Sequence, residues 1–108
     1  MGGVKLIKAV IRPEKELDVV LGLEKEGFYS LTKFDVLGRG KQKGVQVGSA
    51  VYDELAKLMI MIVVEDADAP KVVRTIEDNA KTGNFGDGKI FVSEVEEAYT
   101  IRTGKNKL

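Results

Sequence analysis

Hydrophobic positions along this chain alternate between strand-like and helix-like spacing. Val4 to Ile11 is rich in β-branched residues and predicts a first strand. Pro13 follows where a helix can begin without losing a hydrogen bond, and Glu14 and Glu16 suit the positive end of its dipole. Leu17, Val20 and Leu21, widened by Val19 and Leu23, predict the apolar stripe of that helix, with Gly27 as its C-terminal stop. Phe28 to Leu37 predicts a second strand, and a long irregular stretch then runs from Gly38 to about Leu55. Leu58 to Val64 predicts a third strand. Asp68 and Pro70 form an N-cap and first-turn pair for a second helix, along which Ala69, Val72, Val73, Ile76 and Ala80 recur at helical spacing. Ile90 to Val92 predicts the fourth strand.

The element order is βαββαβ, an α+β, ferredoxin-like arrangement with an antiparallel sheet and both helices on one face. Such a sheet needs only one apolar face, so its strands should alternate. Leu58-Met59-Ile60-Met61-Ile62-Val63-Val64 does not alternate, and in the first strand Leu6 and Val10 oppose Ile7, Ala9 and Ile11. Something must cover the second face. Another copy of the chain in a closed ring is the simplest cover; folding of the long loop or C-terminal tail over the sheet is the alternative.

A chain of 108 residues makes a single domain, 1–108, that gains stability from burying that face. Seventeen basic and seventeen acidic residues cancel, which argues against nucleic acid or membrane partners. Cysteine and histidine are absent, removing thiol chemistry, zinc sites of the usual kind and the imidazole base. The N-terminus has no basic region leading into a long apolar run, so a cytoplasmic location is expected.

Two segments carry the chemistry. Thr82-Gly83-Asn84-Phe85-Gly86-Asp87-Gly88-Lys89-Ile90-Phe91 puts glycines, an acid and a lysine in one turn-rich loop entering a strand. Glycines let N–H groups approach an anion and take positive φ, while the lysine adds a point charge for phosphate. Taken alone, such a loop is more often a plain connector. Gly38-Arg39-Gly40-Lys41-Gln42-Lys43-Gly44 is basic and broken by glycines, with one amide in its middle. With Tyr99-Thr100-Ile101-Arg102-Thr103-Gly104, these segments resemble, in order and separation, the B-loop, T-loop base and C-terminal signature of the PII signal-transduction family.

The resemblance implies a trimer with its sheets facing inward and a nucleotide, ATP or ADP, in the cleft between neighbouring subunits. It implies phosphate contacts at the B-loop (82–89), here Gly86, Asp87, Gly88 and Lys89, and at Gly38, Gly40, Lys41 and Gln42 of the T-loop (about 38–56). Thr32 and Val63 match positions near the adenine, and Arg102 of the C-terminal loop (99–108) matches an arginine reaching the phosphates from the next chain. Gln42 matches the glutamine that binds Mg²⁺ bridging ATP and 2-oxoglutarate, an oxygen-ligand role that suits Mg²⁺. Gln42, Lys43, Gly44, Lys57 and Gly86 would hold 2-oxoglutarate, although Lys57 alone reads as an ordinary solvated lysine. Three positions depart from the family pattern: Lys41 stands for arginine, Thr100 for arginine and Asn84 for lysine. Each change should weaken phosphate affinity or shift preference between ATP and ADP.

The loop after Gly44 is a few residues shorter than in PII regulators of glutamine synthetase and ammonium transporters, and the tyrosine that many bacterial members have uridylylated lies in the missing piece. Tyr52 sits too near the third strand to replace it, and Ser49 reads as a turn residue. Control by ligand rather than covalent modification is expected. The loop and signatures resemble the nitrogenase-associated branch of archaea and anaerobes, first paralogue of two, which implies the dinitrogenase component as partner. Glutamine synthetase or an ammonium transporter is the competing target. No kinase catalytic-loop or Walker motif accompanies the glycines, so an enzyme is not expected.

Overall fold

The computed structural model describes residues 3–39, 45–47, 50–52 and 55–108. Four strands form one antiparallel sheet: β1 (Val4–Ile11), β2 (Thr32–Gly38), β5 (Leu55–Glu65) and β6 (Gly88–Val95), in the order β2-β5-β1-β6. Helices α1 (Glu16–Lys25) and α2 (Ala69–Ala80) provide the crossovers, so the fold is the expected ferredoxin-like βαββαβ. Two short strands, β3 (Val45–Val47) and β4 (Ala50–Tyr52), pair with each other in the stretch expected to be irregular.

One core lies between sheet and helices. Ile7, Ala9 and Ile11 of β1 stand opposite Ile62, Ile60 and Leu58 of β5. All are buried, together with Val19, Leu23, Val72, Ile76 and Ala80 from the helices. Strand β5 alternates between fully buried Leu58, Ile60, Ile62 and Val64 and half-buried Met59, Met61 and Val63. The register puts Leu6, Val10, Phe34 and Phe91 on the same side as those methionines. Phe34 and Phe91 are exposed there. The second sheet face therefore carries an apolar patch, as the unbroken run from Leu58 to Val64 predicted, interrupted by Lys8, Thr32, Lys89 and Ser93 on the same side.

Local chemistry moved several boundaries. Gly27, at φ 89°, ends α1 in a Schellman turn, with Phe28 N–H donating to the Leu23 carbonyl (2.9 Å) and Gly27 N–H to that of Glu24 (2.9 Å). That turn directs Phe28 and Leu31 against the core as plugs, so the second strand starts at Thr32 rather than Phe28. The first helix enters through a 3₁₀ turn, Pro13–Lys15. Its inward side is Val19, Val20 and Leu23, whereas Leu17 and Leu21 are exposed, because apolar residues line most of this helix and its packing on the sheet selects the i, i+4 pair. Asp68 makes no capping bond: the 3₁₀ turn Asp66–Asp68 runs straight into α2, leaving its backbone already helical. Strands β5 and β6 extend past their apolar cores because ladder pairing tolerates polar side chains toward the sheet ends.

Candidate ligand-binding site

One end of the sheet gathers the chemistry. Strand β1 finishes there at Ile11, β6 begins at Gly88 opposite it, and Gly38 of β2 pairs with Leu55 of β5. The connection from α2 to β6 is shaped by Asp87. Its Oδ2 accepts the N–H groups of Thr82 and Gly83, each at 2.8 Å, and its Oδ1 accepts the Thr82 hydroxyl and Arg12 Nε, the latter at 3.0 Å. The Thr82 hydroxyl first, then the Thr82 N–H, hold this carboxyl well below the usual carboxylate range. Asp87 is thus engaged with its own loop and with Arg12. Gly83, Gly86 and Gly88 all take positive φ, of 89°, 97° and 109°. At Gly88 the requirement is also spatial: a Cβ would lie 2.8 Å from the Val10 carbonyl carbon and closer still to its oxygen.

Two cations reach the exposed tip of this loop. Arg12 Nη2 donates to the Phe85 carbonyl at 2.7 Å, and Lys57 Nζ donates to the Gly86 carbonyl. Lys57 also runs beside Gly38, where a Cβ would approach its Cγ to 3.1 Å. Among the described residues, the N–H groups of Phe85 and Gly86 have no acceptor. Exposed backbone donors at a positive-φ glycine, with two cations beside them, are groups of the kind that recognise an anion.

Gly38, Lys57, Gly86, Asp87 and Gly88 are therefore brought together, with Lys89 next along β6 opposite Val10. Thr32 and Val63 share the open sheet face, Thr32 opposite Met61 and Val63 opposite Leu6. Six residues of strand separate Val63 from Lys57, roughly 20 Å. Arg102 is exposed on a C-terminal segment that folds on itself, with Thr100 N–H donating to the Lys105 carbonyl (3.0 Å) and Gly104 N–H to that of Thr100 (2.7 Å). Ile101 in the same turn is 98% exposed. Within one chain, neither the adenine-side pair nor Arg102 meets the loop. Gly40, Lys41, Gln42, Lys43 and Gly44 lie outside the described residues. Sequence reasoning missed Arg12, whose only signal was a basic residue at the end of a strand, just before Pro13.

A cleft of about 440 Å³ opens between α2 and the β1–β6 pair, lined by Ile11, Val73, Ile76 and Ile90 and by Asp87 and Lys89. Neither Lys57 nor Gly38 lines it, whereas Asp87 and Gly88 do, so the cleft adjoins the place where the cations converge.

Residues 4–105 match the family described as Nitrogen regulatory protein P-II. The chain belongs to that family. It is 55% identical over 102 residues to "Nitrogen fixation nifHD1 region GlnB-like protein 1" of Methanosarcina barkeri, covering 94% of this chain and 97% of that protein. A second relative, "Nitrogen regulatory protein P-II 2" of Methanothermobacter thermautotrophicus, is 45% identical over 107 residues, covering 95% and 93%. Among solved structures, Arabidopsis thaliana PII bound to citrate superposes with a TM-score of 0.81 at 31% identity, covering 99% of this chain and 88% of that one. P-II proteins are signalling regulators, not enzymes, and nitrogen regulation is the setting of this one. No helix among its described residues is long and apolar enough to cross a membrane.

Proposed function

We propose that this P-II protein senses nitrogen status by binding ATP or ADP and, with Mg-ATP, 2-oxoglutarate, and that it regulates nitrogenase by direct contact through its T-loop. The observation that carries the ligand part is the convergence on Gly86. There a lysine from the base of the T-loop, at the start of β5, meets an exposed loop at a positive-φ glycine. Phosphates would lie against Gly86, Gly88 and Lys89, with Gly38, Gly40, Lys41 and Gln42 closing the site from the T-loop base. Asp87 contributes by fixing the loop. Gln42 would hold Mg²⁺ through its amide oxygen, and the ion would supply positive charge to oxygen ligands there. Lys43, Gly44 and Lys57 would complete the 2-oxoglutarate site.

The apolar second face supports a trimer, or a mixed oligomer with a paralogue. Assembly would bring Thr32, Val63 and the exposed Arg102 turn of one copy to the loop of another. The nitrogenase target is supported by relatives named for nitrogen-fixation regions, of which Methanosarcina barkeri supplies one at 55% identity. A cytoplasmic location follows from that target.

Calorimetric titration of 2-oxoglutarate, with and without Mg-ATP, tests the reading. Binding that requires Mg-ATP and is lost in Gln42→Ala is expected. Absence of ATP binding would overturn the sensor reading. Capture of glutamine synthetase or an ammonium transporter, but not dinitrogenase, would replace the target.

A further inference from the structure

The bonds of the 82–87 loop fall into two sets. Those from Asp87 to Thr82 and Gly83 span four or five residues and close the turn locally. They fix its shape but not its place on the sheet. The bonds from Arg12 span 75 residues to Asp87 and 73 to the Phe85 carbonyl, and tie the turn to the end of β1. Lys57 supplies a second long-range tie, at Gly86. In the proposed function, however, Lys57 is also the cation that an anionic effector would recruit. When Lys57 leaves the Gly86 carbonyl, Arg12 remains.

We infer that Arg12 is a positioning residue for the anion-binding loop: its guanidinium holds Asp87 and the Phe85 carbonyl so that Gly86 faces the ligand, without touching the ligand itself. This inference rests on the nucleotide-binding reading above. Arg12 Nε and Nη2 are both committed, at 3.0 and 2.7 Å, to neighbouring acceptors of one loop. A planar fork meets two such acceptors in a fixed geometry, which a lysine ammonium on a flexible stem reproduces less well. The Arg12–Asp87 pair leaves each side chain only 24% exposed, so the guanidinium is largely covered by the loop it holds. A Cβ at Gly86 would come within 3.3 Å of Arg12 Nη2, which puts the guanidinium directly beside that glycine. Preorganisation of this kind appears in affinity because the free loop no longer has to be ordered on binding.

The test combines ATP and ADP titrations with amide hydrogen exchange on the full-length protein and its Arg12→Gln, Arg12→Lys, Asp87→Asn and Arg12→Gln/Asp87→Asn variants. A merely positional role predicts that Arg12→Gln weakens ATP and ADP by the same factor, roughly tenfold. Arg12→Lys should recover part of the loss. The double variant should lose no more than the worse single one, because both residues act through one loop position. Exchange at the Thr82 and Gly83 amides should accelerate in Arg12→Gln, while the Phe28 amide at the end of α1 stays unchanged and reports an intact fold.

Wild-type affinity in Arg12→Gln would overturn the inference. So would a loss that is additive with Asp87→Asn and steeper for ATP than for ADP, since that pattern marks direct phosphate contact. If the wild-type protein binds neither nucleotide, the nucleotide reading fails by itself. Exchange then decides the positioning role: faster Thr82 and Gly83 exchange in Arg12→Gln supports it, and unchanged exchange refutes it.

Discussion

Replacing Gly88 with alanine separates backbone strain from steric collision in the 82–88 loop, when set beside the same change at Gly83. Both glycines have positive φ, 109° and 89°. At Gly83 a Cβ meets nothing within 4 Å, so alanine there adds only conformational strain, about 1–2 kcal/mol. At Gly88 the Cβ would lie 2.8 Å from the Val10 carbonyl carbon and 3.3 Å from Ile11 Cα, on backbone that cannot swing aside. Gly88 is also the first residue of β6 in register with Ile11, so relieving the clash means opening the end of the β1–β6 ladder. With strain and one or two weakened ladder bonds, Gly88→Ala should cost roughly 3–5 kcal/mol. That is a large share of the 5–15 kcal/mol, roughly, that holds a domain of this size together. Urea unfolding followed by far-ultraviolet circular dichroism reads the difference. It is run at one protomer concentration, because the proposed association would add its own stabilisation. The Gly88→Ala midpoint should fall about 1–2 M below that of Gly83→Ala. Equal midpoints for the two variants would refute the steric reasoning and leave φ as the sole constraint.

Two further outcomes are expected. The bonds to Asp87, that from the Thr82 hydroxyl foremost, depress its native pKa below the ordinary 3.8. They therefore add stability that is full above that value and is withdrawn as pH falls through the depressed one. The stability gap between wild type and Asp87→Asn should be constant above pH 3.8 and narrow below it in acid-titrated unfolding; a gap that widens in acid would reverse the assignment. Met59 lies on the open sheet face, opposite Val10 and Phe34 and away from the helix-side core. Met59→Asp should thus reduce the solution mass to that of a protomer in light scattering while the far-ultraviolet spectrum is retained. An unchanged mass would show that this face is not the interface.

Much of the fold was legible because burial has a period. Ile7, Ala9 and Ile11 alternate, Val72, Ile76 and Ala80 recur by turns, and Leu58 to Val64 is apolar on both faces. Where the period was ambiguous, packing decided. The first helix carries apolar residues on most of its circumference, so only the sheet's position selects Val19 and Leu23 over Leu17 and Leu21. Phe28 and Leu31 look like strand residues because they are apolar, yet the left-handed turn at Gly27 makes them plugs. At the site, the glycine segments and Lys57 were singled out only through the family resemblance, since each alone reads as a connector or a solvated lysine. Arg12 was not, because its role comes from a 75-residue separation closed only by folding.

The two cations at the loop differ in what remains available to a ligand. The Arg12 guanidinium faces the Asp87 carboxylate, and the pair is close to neutral as a unit. Among the described residues, no carboxylate pairs with Lys57, whose ammonium meets only a carbonyl dipole. A dicarboxylate or phosphate oxygen would offer that ammonium a full charge in place of a dipole, so on the proposed function Lys57 is the cation of the two that would turn to an anion. Moving Arg12 would instead strand Asp87, whose low pKa keeps it ionised. On the proposed function, one sheet end thus holds a fixed cation that builds the loop and a transferable one rooted at the base of the T-loop. Because Lys57 also packs against Gly38 on the neighbouring strand, its displacement is felt on both strands from which the T-loop springs. On the proposed function, an effector held at the glycine loop would in this way bias the segment that would meet a protein target.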